Sequence, residues 1–275
     1  RIRSAGDIFP SNKGDSAMSI PTLRQMTETR EAKFGTGVFE FDSPGIGHIL
    51  KAGGAEYAFV DCEHSGFGID ALKRVLRYME AAGLPTFVRP PSQSSHHIAT
   101  FLDAGAEGLM LPMVSNADQA RAIVDAMKYA PQGSRGVALG IAHDRYAPGP
   151  VLEKLTAANQ RTVCLVLIET KEGIANVDEI AVVEGVDVLW IGHFDLSCSL
   201  GIPGQFEHPE FLSAVEKVVA AGQAQGKSLG RMVRSIDEGV ALNNQGFDFI
   251  CYSGDLWLLQ DALRTGIEEL RQRCG

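Results

Sequence analysis

Charged side chains follow several short apolar segments of this sequence, at the point where each segment ends. They comprise four acids, a histidine and an arginine: Asp61, Glu63, His64, Arg89, Glu169 and Asp195. If the apolar segments are parallel strands, their carboxyl ends lie at the same edge of the sheet or barrel, where active sites form. Carboxylates, an imidazole and a guanidinium gathered there could bind a metal ion, move a proton and stabilise a negative charge.

Glu169 and Asp195 are the candidate metal ligands. Two carboxylates without a Cys or His ligand suit a hard cation such as Mg²⁺ or Mn²⁺, with Co²⁺ as a further candidate. Such an ion would keep positions open for the carboxylate and keto oxygens of a 2-oxo acid, and would act as a Lewis acid on the enolate formed next. The alternative interpretation is that each acid only caps a helix or pairs with an arginine.

Asp61, Glu63 and His64 form a candidate acid–base group. Histidine titrates near neutral pH, and a neighbouring aspartate would fix its tautomer. Glu63 could hold water bound to the metal. Arg89 has a fork geometry that suits a carboxylate or a developing enolate oxygen. The alternatives are that the histidine is structural and that Arg89 only neutralises these acids.

Other reactive residue types fit a site less well. Cys62 lies between two acids whose negative charge should raise its pKa, which argues against a nucleophile. Lys171 and Lys227 are the candidates for a Schiff base, but Lys171 is not inside an apolar strand. Gly133–Gly140 lacks the Lys-Ser/Thr of a phosphate-binding loop and is interpreted as a mobile active-site loop or an intersubunit contact.

The elements that must position these residues alternate between apolar strands and amphipathic helices, which favours a (β/α)₈ barrel over an open doubly wound sheet. The predicted strands are Gly37–Phe41, Tyr57–Cys62, Thr86–Arg89, Gly108–Met113, Val163–Glu169, Val186–Gly192, Ser228–Val233 and Phe247–Tyr252. The predicted helices include Ile69–Ala82 before Gly83, a helix capped by Asn116, Pro209–Gly226 and Asp255–Gln272. We expect residues 1–33 to form an arm or tail and residues 34–275 to form one catalytic domain.

Composition excludes several classes of protein. The 275 residues carry a net charge of −9 without a basic cluster, which argues against binding to nucleic acid. No apolar run reaches the ~18 residues that span a bilayer. No charged-then-apolar segment opens the sequence, so we expect no secretion signal. The five scattered cysteines lack a Cys-x-x-Cys pair, which predicts reduced thiols in the cytoplasm.

The ordered motifs resemble the HpcH/HpaI class II pyruvate aldolases, including the 4-hydroxy-2-oxoheptanedioate and 2-dehydro-3-deoxyglucarate aldolases. The resemblance covers roughly residues 34–273. It is carried by Phe59-Val60-Asp61-Cys62-Glu63-His64, Val88-Arg89-Pro90, Phe101-Leu102-Asp103-Ala104-Gly105-Ala106, Leu111-Pro112-Met113-Val114, Ser134-Arg135-Gly136-Val137, Ile168-Glu169-Thr170 and Ile191-Gly192-x-x-Asp195-Leu196-Ser197.

This resemblance implies a (β/α)₈ barrel whose last helix packs on a neighbouring subunit, in a hexamer built as a trimer of dimers. It implies a divalent metal on Glu169 and Asp195, and an enolate stabilised by Arg89. It further implies proton transfer by His64, oriented by Asp61 and assisted by metal-bound water. Asp103 matches an acid that the family contributes to the adjacent subunit's site, and the backbone around Phe194 and Asp195 would hold the substrate carboxylate.

The sequence departs from the family pattern where Gly192-His193-Phe194-Asp195 replaces Gly-Pro-Ala/Ser-Asp, and where Leu167 replaces a frequent Gln. The residues expected to contact substrate are Gly192, Phe194, Leu167 and Glu63. We therefore expect a bulkier and less polar pocket wall.

The sequence as a whole predicts a metal-dependent aldolase or lyase that acts on a 2-oxo acid and an aldehyde. One alternative keeps the fold and metal but forms citrate or cleaves a CoA ester, which would call for more basic residues at the rim. The other is a barrel that has lost catalysis and acts in binding or assembly.

Overall fold

A computed structural model describes residues 21–275, which form a closed barrel of eight parallel strands. The strands pair in sequence order, and the last closes onto the first. They are β1 (Lys33–Val38), β2 (Tyr57–Asp61), β3 (Thr86–Arg89), β4 (Gly108–Leu111), β5 (Val163–Ile168), β6 (Val188–Ile191), β7 (Ser228–Val233) and β8 (Phe249–Gly254). This closure confirms the predicted (β/α)₈ barrel and excludes the open sheet.

Helices surround the barrel, and all but the first and the last lie between successive strands in the chain. They are α1 (Leu23–Glu28), α2 (Ile46–Ala52), α3 (Ile69–Ala82), α4 (Ser95–Asp103), α5 (Ala117–Met127), α6 (Val151–Arg161), α7 (Lys171–Ala175), α8 (Val177–Ala181), α9 (His193–Ser199), α10 (Pro209–Ala224), α11 (Ile236–Gln245) and α12 (Asp255–Cys274), with a 3₁₀ turn at Ala142–Asp144. Within residues 21–275, none of the helices combines the length and apolarity needed to cross a membrane.

Large rings fill the interior of the barrel. Phe87 lies 5.4 Å from both Phe59 and Trp190, measured between ring centroids. Gly230 faces Trp190 so closely that a Cβ there would lie 2.0 Å from a ring carbon. Interiors are close-packed, so an added methyl group would force these rings apart. A substrate must therefore bind above the rings, at one end of the barrel.

The alternation of side chains along the strands directs the candidate residues to that end. In β5 the interior positions are Val163, Leu165 and Leu167, and the intervening residues pack outward against the helices. The next interior position is Glu169, directly after the strand. The same period of two places Asp61 above Phe59 in β2. The carboxyl ends of the strands, called the rim below, thus carry the predicted acids.

The predicted amino-terminal arm is partly helical. Leu23 and Met26 of α1 are buried against the lower end of the barrel interior. Arg24 anchors the helix through an ion pair with Asp187, which precedes β6. The arm therefore contributes to the barrel from α1 onward, because its apolar residues cover the open lower end. The rest of the predicted arm, residues 1–20, lies outside the described residues.

Strands β3 and β7 have the predicted bounds, and the other six differ from the prediction at one end or both, by four residues at most. The first strand begins at Lys33 instead of Gly37, because the Lys33 ammonium is buried in an ion pair 3.1 Å from Asp248. A lysine at the start of a strand hides it from a search for apolar runs. The eighth strand begins at Phe249 instead of Phe247. The carboxylate of Asp248, directly before it, accepts a 2.7 Å hydrogen bond from the backbone N–H of Leu229.

Helix boundaries follow the predicted caps. α3 spans the predicted residues and ends at Gly83, whose φ of 62° is the left-handed conformation that suits glycine. The Asn116 side chain accepts a hydrogen bond from the Gln119 backbone and begins α5. The last helix, α12, exposes an apolar face formed by Leu259, Leu263, Ile267 and Leu270. Its packing on a neighbouring subunit stays a prediction.

Candidate active site

Glu169 occupies a buried position at the rim, after β5, with only 3% of its surface exposed. One carboxylate oxygen accepts a hydrogen bond of 2.6 Å from the backbone N–H of Met113. The other oxygen lies against Gly192, where a Cβ would approach it to 2.2 Å. A side chain at position 192 would therefore displace this carboxylate, so Gly192 makes room for Glu169. Met113 itself has a φ of 57°, in the left-handed region that is costly for a residue with a side chain.

Asp195 stands in the first turn of α9, which follows β6. β6 pairs with β5 so that Ile191 lies beside Ile168, and the segments that follow these two strands, which carry Asp195 and Glu169, are therefore neighbours. The two acids are close enough for the charge of Asp195 to raise the pKa of Glu169. Asp195 is exposed, whereas Glu169 is buried. The structure thus brings together the two predicted metal ligands from neighbouring strands.

The electrostatics of Glu169 fit a cation. Burial, in the first place, and the charge of Asp195 raise its pKa to about 8, although the Met113 N–H and Arg89 act in the opposite direction. A buried carboxylate with a second carboxylate beside it is unfavourable when charged, and a divalent ion would remove that penalty. In the described part of the chain, no three His, Cys, Asp or Glu side chains form a ligand cluster. The residues present therefore fit a divalent ion held by two carboxylates, with water and substrate oxygens as its other ligands.

The raised pKa of Glu169 predicts a specific pH dependence for the metal-free protein. Its folded-state pKa lies at about 8 against an ordinary value of 4.5. Protonated Glu169 therefore contributes stability that is complete below pH 4.5 and is lost as pH rises through about 8. We expect the thermal midpoint of the chelator-treated protein to fall as the pH rises from about 4.5 to about 8, and to level off above that. Differential scanning calorimetry measures this change. An equal fall of the midpoint with pH in Glu169→Gln would show that Glu169 is not the group responsible.

Asp61 and Arg89 form a buried ion pair at the ends of β2 and β3. Nε and Nη2 of Arg89 each donate a 2.8 Å hydrogen bond to one oxygen of Asp61, which is 0% exposed. Burial acts to lower the pKa of Arg89, but the hydrogen bond and charge of Asp61 outweigh it and raise that pKa. Arg89 also lies 3.2 Å from a Glu63 oxygen. Its remaining amino group, Nη1, is left to donate to a ligand.

The predicted contact between Asp61 and the His64 ring is not formed. Besides Arg89, the Asp61 carboxylate accepts from the backbone N–H groups of Glu63 and His64, at 3.0 and 3.1 Å. These bonds hold the loop, so the prediction that Asp61 orients the imidazole is wrong in this chain. The His64 side chain is 64% exposed, and its Nε2 lies 3.7 Å from Glu63. Burial, more than any nearby charge, raises the pKa of Glu63.

Asp103 lies apart from these residues. It ends α4, and helices return the chain to the amino-terminal ends of the strands, so Asp103 stands at the opposite end of the barrel from Glu169. Its carboxylate accepts a hydrogen bond from the buried guanidinium of Arg135. That part of Gly133–Gly140 therefore lies away from this chain's own rim. A role for Asp103 in an adjacent subunit stays a prediction.

The predicted pocket wall is only partly correct. Phe194 is 54% exposed at the rim and packs against two rings. The His193 ring is tilted, with its centroid 4.6 Å away, and the Phe206 ring packs edge-to-face at 5.2 Å. Burial and the charges of two arginines lower the pKa of His193 to about 3, so this ring is neutral. Leu167 is 1% exposed, because it is an interior position below Glu169. The prediction that Leu167 contacts substrate is therefore wrong.

The cysteine and lysines discounted above are unsuited to catalysis in the structure as well. Burial, and to a smaller extent Asp61, raise the pKa of Cys62 to about 12. Lys171 is exposed at the start of α7. Lys227 lies before β7, at the lower end of the barrel, where its Nζ donates to the Val186 carbonyl at 2.7 Å. Neither lysine reaches the barrel interior.

Two contributors to the rim were missed by the sequence analysis. The first is the Met113 N–H, which donates to Glu169 from a residue with left-handed backbone that its type does not signal. The second is Asp255, whose buried carboxylate accepts hydrogen bonds from the backbone N–H groups of Phe39, Glu40 and Phe41. An acid directly after a strand is the available signal, but the sequence pattern places Asp255 only at the start of the last helix. It closes the loop after β1 over the rim.

Comparison with known proteins identifies relatives over most of the chain. The family model described as HpcH/HpaI aldolase/citrate lyase matches residues 41–262. The chain is 34% identical over 219 residues to the 2-keto-3-deoxy-L-rhamnonate aldolase of Escherichia coli. This alignment covers 79% of this chain and 81% of the relative. It is 37% identical over 229 residues to the hydroxypyruvate/pyruvate aldolase of Deinococcus radiodurans, covering 81% and 80% of the two chains.

A solved structure has the same architecture. The crystal structure of an HpcH/HpaI aldolase from Desulfitobacterium hafniense DCB-2 superposes with a TM-score of 0.86 at 31% sequence identity. The match covers 91% of this chain and 96% of that one.

Proposed function

Because the chain belongs to the HpcH/HpaI aldolase/citrate lyase family, we propose that it cleaves and forms the carbon–carbon bond between a 2-oxo acid such as pyruvate and an aldehyde. It is a carbon–carbon lyase, as its aldolase relatives are, and the interpretation as a non-catalytic barrel is not retained. The observation that carries the proposal is the buried Glu169 beside Asp195, on a rim that also holds the Asp61–Arg89 pair.

Glu169 and Asp195 would hold the divalent metal, with Mg²⁺ or Mn²⁺ as the proposed ion and Co²⁺ as a further candidate. When bound, the ion would supply a Lewis acid for the negative charge that develops on the keto oxygen. The backbone N–H groups around Phe194 and Asp195, at the start of α9, would hold the carboxylate of the 2-oxo acid. Gly192 keeps this corner open, because a side chain there would meet Glu169.

Arg89 is proposed to stabilise the enolate. Asp61 holds its guanidinium through Nε and Nη2, which leaves Nη1 free to donate to the enolate oxygen. A donor fixed in advance stabilises developing charge without the cost of reorganising during the reaction. The aromatic ring of Phe59 lies beneath the guanidinium, with Cζ 5.6 Å from its centroid, and supports the same orientation.

His64 is proposed to move the proton. In the cleavage direction its exposed imidazole accepts the proton of the 4-hydroxyl group, the C3–C4 bond breaks, and the aldehyde leaves. The resulting enolate is then protonated at C3. Glu63, 3.7 Å from the imidazole, would stabilise its protonated form. In the addition direction the same groups act in reverse order.

We also propose a homo-oligomer, specifically a hexamer built as a trimer of dimers. The exposed apolar face of α12 supports this, since an isolated helix face of that kind is stabilised by burial against another subunit. Asp103 would then enter the neighbouring active site. The five free thiols support residence in the cytoplasm, where cysteines stay reduced.

Metal-dependent enolisation provides the test of this function. Wild-type protein with Mg²⁺ or Mn²⁺ should exchange the methyl protons of pyruvate for deuterium in D₂O, observed by proton NMR, because the enolate forms without an acceptor. Chelator treatment should abolish exchange, and added metal should restore it. Exchange that persists after chelation would contradict the mechanism. Turnover of oxaloacetate with acetyl-CoA but no exchange would favour the citrate-forming alternative.

A further inference from the structure

Three aromatic rings form a continuous surface at the rim, called here the aromatic floor: Phe59, Phe39 and Trp257. The Phe39 ring lies 5.7 Å from Phe59 and 4.9 Å from Trp257, between centroids. Phe59 is buried and supports Arg89 at one end. Phe39 and Trp257 are only partly buried, so the rest of the floor can receive a ligand.

The backbone beneath the floor is adapted to it. A Cβ at Gly37 would lie 2.4 Å from the Phe39 ring, and one at Gly254 would lie 2.9 Å from both Phe39 and Trp257. Any side chain at either glycine would lift the rings off the strands. The Asp255 carboxylate accepts a 3.0 Å hydrogen bond from the backbone N–H of Phe39 and so fixes the loop that carries this ring. The two glycines thus leave room for the rings, and Asp255 holds them in position.

Arg234 stands at the other end of the floor. Its Cζ lies 5.4 Å from the centroid of Trp257. In β7 the interior positions are Gly230, which faces Trp190, and Met232, which packs on the interior cluster. The period of two makes Arg234 the next interior position, at the rim. The floor thus has a guanidinium at each end, Arg89 and Arg234.

The two guanidinium groups differ in their partners. Arg89 is paired with Asp61 and Glu63. A third arginine nearby, Arg231, also has an acidic partner, Glu238, 3.0 Å away. Over residues 21–275, the ion pairs within 4.0 Å include none for Arg234, whose side chain is exposed. An arginine that rests on an aromatic ring keeps its fork of N–H donors available to an anion.

We propose that Arg234 binds an anionic group at the far end of the acceptor aldehyde, while the apolar body of the acceptor lies on the aromatic floor. The inference rests on the proposed function and names its acceptor as a carboxylated aldehyde with an aryl or short alkyl body. The 2-oxo acid is bound near Glu169 and Arg89, so the acceptor must approach from the rest of the rim. A carboxylate suits Arg234 because the guanidinium can donate two parallel hydrogen bonds to it.

The test compares matched acceptors in the addition of pyruvate, with metal-loaded full-length protein. One pair is para-carboxybenzaldehyde and para-tolualdehyde, and the other is succinic semialdehyde and butanal. Wild type should favour the carboxylated member of at least one pair in kcat/KM. Arg234→Met should lower that preference by about 10- to 100-fold, the effect of losing a hydrogen bond to a charged group. It should change kcat/KM for the neutral member less than about threefold, the range expected for a surface substitution that removes no specific contact.

Controls separate this role from folding and from the proposed function. Arg234→Lys keeps the charge and should retain part of the preference, and Arg121→Met, an exposed arginine on α5, should retain all of it. Deuterium exchange into pyruvate should be unchanged in Arg234→Met. Loss of that exchange, or an equal effect on both acceptors, would overturn the proposal. Absence of exchange in wild type would instead refute the proposed function, and exchange without acceptor preference would refute only the role of Arg234.

Discussion

Glu169→Gln should lower kcat/KM for aldol cleavage by about a thousandfold or more, while the protein stays folded. The substitution removes the negative charge that would hold the metal, and Lewis-acid stabilisation of a transition state amounts to several kcal/mol. The Gln side chain can still accept the hydrogen bond from the Met113 N–H, which is 2.6 Å from Glu169 in the structure. We expect no loss of stability at neutral pH, because burial disfavours the charged form of the acid it replaces.

Steady-state kinetics and isothermal titration with Mn²⁺ measure this effect. The matched control is Glu172→Gln, which makes the same change at an exposed glutamate in the first turn of α7. It should retain both activity and metal binding. Normal metal binding and turnover in Glu169→Gln would show that the metal does not bind at Glu169 and would contradict the proposed mechanism.

Arg89→Met should reduce both activity and stability. Asp61 is 0% exposed and would be left buried without its partner, which costs about 3–5 kcal/mol in comparable buried pairs. For a domain of this size that corresponds to a fall in the thermal midpoint of about 10 °C. The loss of an oriented donor to the enolate should lower kcat by about a hundredfold or more.

A double variant separates the two effects of Arg89. Arg89→Met with Asp61→Asn removes the buried charge together with its partner, so most of the stability should return. Asn can still accept one of the backbone hydrogen bonds that Asp61 accepts from Glu63 and His64. Activity should stay low in both variants if Arg89 contacts the enolate. Recovery of activity along with stability would mean that the arginine only supports the fold. Calorimetry and pyruvate exchange, measured on the same samples, distinguish these results.

Strand alternation made much of the site predictable. Glu169 and Asp195 could be selected because each follows an apolar run, and the alternation of a strand places such a residue at the rim of a barrel. Arg89 followed from the same local pattern. The caps of α3 and α5 were equally local, since a glycine or an asparagine sets its own backbone and nearest hydrogen bonds. These features depend on residues within a few positions of one another.

Partners on different strands could not be obtained in this way. The sequence pairs Asp61 with His64, three residues away, but the register between β2 and β3 places Asp61 beside Arg89, and two hydrogen bonds from the guanidinium outweigh the sequence neighbour. The first strand was misplaced because Lys33 is buried only through Asp248, more than two hundred residues later. The aromatic floor and Arg234 likewise depend on the loop after β1, the end of β7 and the start of α12 meeting at one rim.

The sequence by itself therefore determined the architecture, the end of the barrel that carries the chemistry, and the residue types available there, since periodicity and strand ends are local properties. Only the tertiary structure decided which charges pair and which stay available. That outcome depends on the register between strands and on burial, which strengthens some pairs and penalises any charge left alone. Glu169 depends on both. Its place after a strand is a local property, whereas the Met113 N–H that it accepts from and the room left by Gly192 come from the tertiary structure.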